Sequence, residues 1–303
     1  MERIRIYFLN QLDLFKPELY RAYVRKRLEI WLRITHNLSS RLVPRRDNEY
    51  ILSGYRAVSW SYKRSLESIL GIHNETVNIF SHIIGSIIFF TLPMPIYRSL
   101  QPRYTTATTA DVVVFSTFFF GVAICFALSA IFHIFNNHSQ NLGIVILMWG
   151  STIPCVYYGF FCTPHLQKTY YTLVSILAAG CVYATLHPAF RCPKYRPYRA
   201  AMYAGLGLSF VIPIIHGIII FGWETQMWRM SLDWMALMTA FNLVGAALYA
   251  MRIPEKWYPY RFDVWGASHQ IMHCLVVCAG IAHLYGLLRA FDHVHGHGDA
   301  CTV

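Results

Sequence analysis

The sequence predicts an all-α membrane protein, a bundle of seven transmembrane helices with a cytosolic N-terminus, and three observations carry that expectation. Of the 303 residues, 55% are hydrophobic and only 14% are charged, whereas a soluble domain carries about a quarter charged residues. Mean hydropathy is +0.37. Seven segments approach the roughly 20 apolar residues that a bilayer crossing needs. With the N-terminus in the cytosol, the Lys and Arg residues partition 21 of 26 to the cytosolic side, as the retention of basic loops in the cytosol requires.

Residues 1–70 differ in composition from the rest of the chain and read as a basic cytosolic region holding 14 of the 26 Lys and Arg. Residues 20–34 (YRAYVRKRLEIWLRI) mix Leu28, Ile30, Trp31 and Ile34 with basic side chains, a pattern that suits a helix lying in the membrane interface. Residues 39–47 read as a linker. A basic arm also suits nucleic acid. Its position beside membrane spans favours the topological reading, so no nucleic acid is expected; membrane lipids, or a protein partner docking on this region, are. Met1–Lys16 shows no apolar core followed by a cleavage site, so no cleaved signal peptide is expected.

The spans are expected over residues 77–97, 111–135, 142–162, 169–186, 200–221, 234–251 and 270–288, the second, third and fifth being the clearest. Together they form a transmembrane domain over residues 71–290, followed by a His-rich tail over 291–303. Eight Cys are scattered, five of them (Cys125, Cys155, Cys181, Cys274 and Cys278) inside apolar runs. Most read as small buried hydrophobes, and no spacing suggests a disulfide framework. The sequons at Asn37, Asn74 and Asn137 all fall on the cytosolic side and should stay unglycosylated.

Chemistry-bearing residues gather at the cytosolic ends of the spans. His269 and His273, in S-H-Q-I-M-H, are four apart and share a helical face; two imidazoles so placed can hold one metal ion. The second span ends in S-A-I-F-H, with Ser129 one turn before His133. With the N-terminus inside, His133 reaches the depth of His269 and His273, and three imidazoles plus water make an open zinc site. The first span opens with H-N-E-T-V-N-I-F-S-H, placing Glu75, Asn78 and His82 on one face. That face suits either partners that orient ligating histidines or an interhelical hydrogen-bond cluster. His293, His295 and His297 in the tail could give weak accessory metal binding.

S-G-Y-R (Ser53–Arg56), H-N-E-T-V-N-I-F-S-H (His73–His82), S-A-I-F-H (Ser129–His133), Gly143–Tyr158 and S-H-Q-I-M-H (Ser268–His273) together resemble the progestin and adipoQ receptor family. That family includes adiponectin receptors, fungal zinc-homeostasis proteins and haemolysin III-like proteins. The resemblance covers residues 50–288. It implies a seven-helix bundle with the N-terminus inside, zinc held by His133, His269 and His273, a lipid-accessible cavity, and in some members ceramidase-like amide hydrolysis. One departure stands out. Where the family carries an Asp before its third helix, this chain has Ser139-Gln140-Asn141-Leu142-Gly143, in a shortened loop, and neither Gln140 nor Asn141 can act as a base.

The expected function is therefore a zinc-binding, receptor-like multi-pass membrane protein in lipid or metal homeostasis signalling, with a sphingolipid or other small lipid as ligand. The alternative is a zinc-dependent lipid amide hydrolase, in which Ser129 would position water or substrate and Glu75 or His138 would replace the missing Asp. A transporter is the least supported reading, because the fourth to sixth spans offer only His216 and Asn242 as polar groups.

Overall fold

The computed structural model describes residues 48–56, 61–100, 104–135, 142–187, 195–296 and 301. The interfacial helix expected over residues 20–34, the linker at 39–47, Asn37, Asn137, His138, Gln140, Asn141 and His297 lie outside the described residues.

The described chain is helical throughout its regular structure. A short α1 (Tyr62–Glu67), capped by Ser61, leads through a 3-10 turn (Ser68–Leu70) to α2 (Thr76–Thr91). Next come α3 (Pro93–Leu100), α4 (Thr109–Phe135), α5 (Leu142–Gly159) and α6 (Pro164–Leu186). The remaining helices are α7 (Arg196–Leu208), α8 (Val211–Phe221), α9 (Trp223–Arg229), α10 (Leu232–Met251) and α11 (Ser268–Gly296). Proline sets several boundaries. Pro93 opens α3 and Pro164 opens α6, positions where a missing N–H costs nothing. Pro213 falls in the first turn of α8, and the expected fifth span is accordingly broken near Ser209–Phe210 into α7 and α8.

Six stretches are long and apolar enough to cross a bilayer: Thr76–Leu100, Thr109–Phe135, Pro164–Leu186, Ala201–Phe221, Leu232–Met251 and Ser268–Gly296. The expected third span is shorter, its apolar part running Val145–Gly159. The chain turns at Phe160–Thr163 before Pro164 starts α6. Large apolar side chains such as Phe90, Ile176, Ile219 and Leu243 point outward, a surface suited to lipid rather than water. The core is aromatic, built from Phe89, Phe115, Phe118, Phe119, Phe126, Tyr158 and Phe291 on α2, α4, α5 and α11. α4 and α5 meet backbone to backbone where Gly121 faces Gly150. A Cβ on Gly150 would stand 2.8 Å from the Thr117 carbonyl oxygen and 3.2 Å from Gly121 Cα, the close approach that small residues permit between membrane helices.

Two expectations need correction. The His-rich tail is helical as far as Gly296, because Phe291 and Val294 join the core and His295 is buried against α4. The cysteines do include a disulfide, Cys162–Cys301. Its 139-residue separation leaves no spacing signature; the extension of α11 brings the tail to the α5–α6 turn. Cys125, Cys155 and Cys181 are buried, but Cys274 and Cys278 are exposed on α11 rather than packed inside.

Candidate metal centre

The end of the bundle where α2 begins, α4 finishes and α11 begins is organised by loops. Ser53 donates to Asp263 (2.6 Å), and the Asn74 N–H donates to the Gly54 carbonyl (2.9 Å). Gly54 has φ +82°, and a Cβ there would meet Val264 at 2.9 Å, so glycine is needed twice over. Arg56 donates to the carbonyls of His133 and Ile134 and to Ser68 Oγ. Those carbonyls are orphans of the α4 C-terminus, where a cation also suits the helix dipole. Buried Glu255 does the converse at the N-terminus of α11, accepting from the Ser268 N–H (2.8 Å), from Ser268 Oγ and from Asn48 (2.9 Å). Gln270 donates to the carbonyls of Asn74 (2.9 Å) and Val264 (2.8 Å). The first turn of α11 is thereby pinned to the segment that carries Glu75.

Within this frame His133, His269 and His273 converge, with one potential ligand atom from each lying within 4.8 Å of the others. Nε2 of His133 and Nε2 of His273 are 3.1 Å apart, both rings being buried. Tetrahedral coordination at ordinary zinc–imidazole lengths would place two ligand nitrogens about 3.3 Å apart, so the spacing fits one metal ion. The donor set is chemically suitable too, since neutral imidazoles serve zinc, copper, iron and nickel alike.

Glu75 Oε2 lies 2.7 Å from His133 Nδ1. That contact sets the tautomer, with the Nδ1 proton donated to the carboxylate and the Nε2 lone pair turned toward His273. Asn78 and Asn74 donate to the two oxygens of Glu75 at 2.8 and 3.2 Å. Burial pushes the Glu75 carboxyl up, but the His133 and Asn78 hydrogen bonds outweigh it and hold the group down at about 2. His82 makes a ring contact instead. It stacks on His273 (3.9 Å between centroids) and lies 4.7 Å from Phe126. Ser129 is half-buried one turn before His133, and among the described residues its hydroxyl bonds none of these side chains. Asn74 is buried, which leaves its sequon no room for a sugar. His216, noted as an isolated polar group, pairs with the Tyr170 hydroxyl (2.6 Å).

A second polar cluster sits at the opposite end of α4 and α11, unforeseen in the sequence. Asp111 accepts from Tyr158 OH (2.9 Å) and His295 Nε2 (3.0 Å) through Oδ1, and from Thr108 N and Oγ1 through Oδ2. His295 Nδ1 meets Thr106 (3.0 Å). The available signal was Asp111 itself, an acid opening an otherwise apolar stretch, since ionisable residues at membrane depth are costly and pair with one another. Arg56, Glu255 and Asp263 were also missed, as loop residues without periodicity.

A bundle of long apolar helices with polar clusters at both ends defines an integral, multi-pass helical membrane protein. The haemolysin-III-related family matches residues 70–284, and the chain belongs to that family, the one that includes the adiponectin and progestin receptors. It is 38% identical over 277 residues to an adiponectin receptor protein of Drosophila melanogaster, covering 88% of this chain and 61% of that protein. It is 39% identical over 251 residues to a progestin and adipoQ receptor-like protein of Caenorhabditis elegans, covering 80% of this chain and 57% of that one. It is 36% identical over 260 residues to the ADIPOR-like receptor IZH2 of Saccharomyces cerevisiae, covering 82% of each. The chain thus spans about three fifths of the length of the fly and worm relatives.

Proposed function

We propose that this protein is a zinc-binding, seven-span receptor-like membrane protein, in which His133, His269 and His273 hold the ion and tie the second and seventh spans together. The observation that carries the reading is the convergence of three imidazoles within 4.8 Å, one of them aimed by Glu75. When bound, zinc would act as a Lewis acid and crosslink. The protein's own residues orient the imidazoles, and a small lipid reaching the bundle would alter the helix packing that the ion fixes.

Glu75 favours this reading over the hydrolase alternative. Its carboxylate is engaged by His133, Asn78 and Asn74, so it orients a ligand and is not free to take a proton from water.

Seven spans with the N-terminus inside result if α5 crosses with the others. Two features support that orientation independently. Basic residues concentrate before the first span, and the Cys162–Cys301 disulfide lies at the end of the bundle away from the histidines, where an oxidising compartment would allow it. The deciding experiment is the metal content of the detergent-purified protein by elemental mass spectrometry, beside His133→Ala and His273→Ala. About one zinc per chain, lost in both variants, supports the proposal; metal-free wild type, or unchanged content in the variants, rejects it.

A further inference from the structure

A second constellation of metal-binding atoms lies inside the bundle, apart from the three histidines. Cys155 Sγ on α5 is 3.7 Å from Met235 Sδ on α10 and 3.6 Å from His283 Nε2 on α11. His283 Nδ1 lies 3.0 Å from Met238 Sδ, and Phe118 stacks on the His283 ring at 5.0 Å between centroids. Cys155, Met235 and His283 are all buried, at 2%, 6% and 2% exposure. His283 follows His273 by ten residues of one helix, so this cluster sits about 15 Å further along it.

We propose that Cys155, Met235 and His283 form a site for a soft monovalent cation of the copper(I) class. The donor set is thiolate, thioether and imidazole, which selects soft ions over calcium or magnesium. Both spacings around Cys155 match those of a three-coordinate ion. Metal–sulfur and metal–nitrogen bonds of about 2.3 and 2.0 Å in a trigonal plane put the two sulfurs about 4.0 Å apart and the Cys155 sulfur about 3.7 Å from the nitrogen, against 3.7 and 3.6 Å found. In the tautomer that carries its proton on Nδ1, facing Met238, the Nε2 lone pair faces Cys155. The thiol has one proton for two facing acceptors, and a cation satisfies all three donors at once.

Charge then chooses the valence. Binding releases the Cys155 proton to bulk water, and a thiolate with a monovalent ion is neutral. A divalent ion would leave an uncompensated charge in the apolar interior, which is costly. The surrounding sequence is of the same character. Met227, Met230, Met235 and Met238 put four of the chain's ten methionines into twelve residues. Met230 packs on Gly159, one turn beyond Cys155, where a Cβ would stand 3.0 Å from its sulfur.

The test uses the full chain in detergent with Cys274 and Cys278 replaced by Ser, since both are exposed thiols. Copper(I), kept reduced with ascorbate, is titrated against a copper(I) chelator, and X-ray absorption reads the donors. The expected result is one tight ion per chain with two sulfurs and one nitrogen, weakened at least about 10-fold by Met235→Leu, a volume-conserving change, and abolished by Cys155→Ala. Zinc retained by the three histidines should be unchanged in both. Equal copper(I) affinity in Met235→Leu and the parent, or no ion held against the chelator, would overturn the proposal, even if Cys155→Ala fails to fold.

Discussion

Glu75 Oε2 and His133 Nδ1 lie 2.7 Å apart, the N-cap of α2 holding the last turn of α4. Partners of this kind fix a ligand's tautomer and orientation, and their loss typically weakens metal binding about 10–100-fold. Glu75→Gln should therefore bind zinc in that weaker range while retaining a full complement at saturating metal. A chelator competition, read beside His133→Ala with its complete loss, checks this. Unchanged affinity in Glu75→Gln would mean that the carboxylate does not orient the ring.

The far ends of the same two helices are joined by Asp111 and His295. Asp111 and His133 are separated by 22 residues on α4, as are His273 and His295 on α11, so two antiparallel helices carry matched polar clasps about 33 Å apart. Removing one partner of a buried hydrogen bond leaves the other unsatisfied and costs about 1–3 kcal/mol. Asp111→Ala, which also strands Tyr158 OH and Thr108, should sharply lower the thermal midpoint in detergent. His295→Ala should do less harm, because Tyr158 and Thr108 still satisfy the carboxylate.

Gly150 and Gly180 should respond oppositely to substitution. A Cβ at Gly150 would lie 2.8 Å from backbone on α4, whereas nothing stands within 4 Å of one at Gly180. Gly150→Ala must push α4 and α5 apart and should reduce the yield of folded protein. Gly180→Ala should be neutral or stabilise by up to about 1 kcal/mol, because alanine is the better helix former. Fluorescence-detected size exclusion of the two variants separates these outcomes.

Severing Cys162–Cys301 should loosen the end of α11. A disulfide closing so long a loop stabilises by at most about 5 kcal/mol on chain entropy alone, less where the bilayer already restricts the unfolded chain. Cys301→Ser should lower the thermal midpoint, and reductant should lower the wild type to the same value. A wild-type midpoint unaffected by reductant would argue against the bridge.

Most of the helices were legible because a bilayer leaves a coarse signal, long apolar runs and basic flanks, that needs no tertiary information. The clustering of three histidines was legible for a similar reason: His269 and His273 announce a shared face by spacing, and topology brings His133 to the same depth. What spacing could not show was contact between distant segments. Glu255 capping α11, Arg56 capping α4, Asp111 meeting His295 and Cys162 meeting Cys301 are pairings set by how the bundle closes. The break between α7 and α8 turned on the exact place of Pro213, and the helical tail on Phe291 and Val294 finding the core, which a run of histidines obscured.

His73 gives the loop frame around Glu75 a pH dependence of definite sign. Burial, and then the Arg56 guanidinium, depress its imidazole from the ordinary 6.5 to about 4, against the opposing pull of Glu75. Its Nδ1 accepts the Glu75 N–H at 3.1 Å, a bond that only the unprotonated ring nitrogen can make. The folded state therefore binds fewer protons than the unfolded state between these two values, so stability rises with pH across that interval. The His73 contribution is fully present above about pH 6.5, declines as pH falls toward about 4, and is lost below that. His73→Asn keeps an acceptor for the Glu75 N–H but cannot titrate. Its thermal midpoint, measured against the wild type from pH 7.5 to 4, should start level or slightly lower and gain on the wild type as acid is added. A constant difference across that range would remove His73 from the acid response.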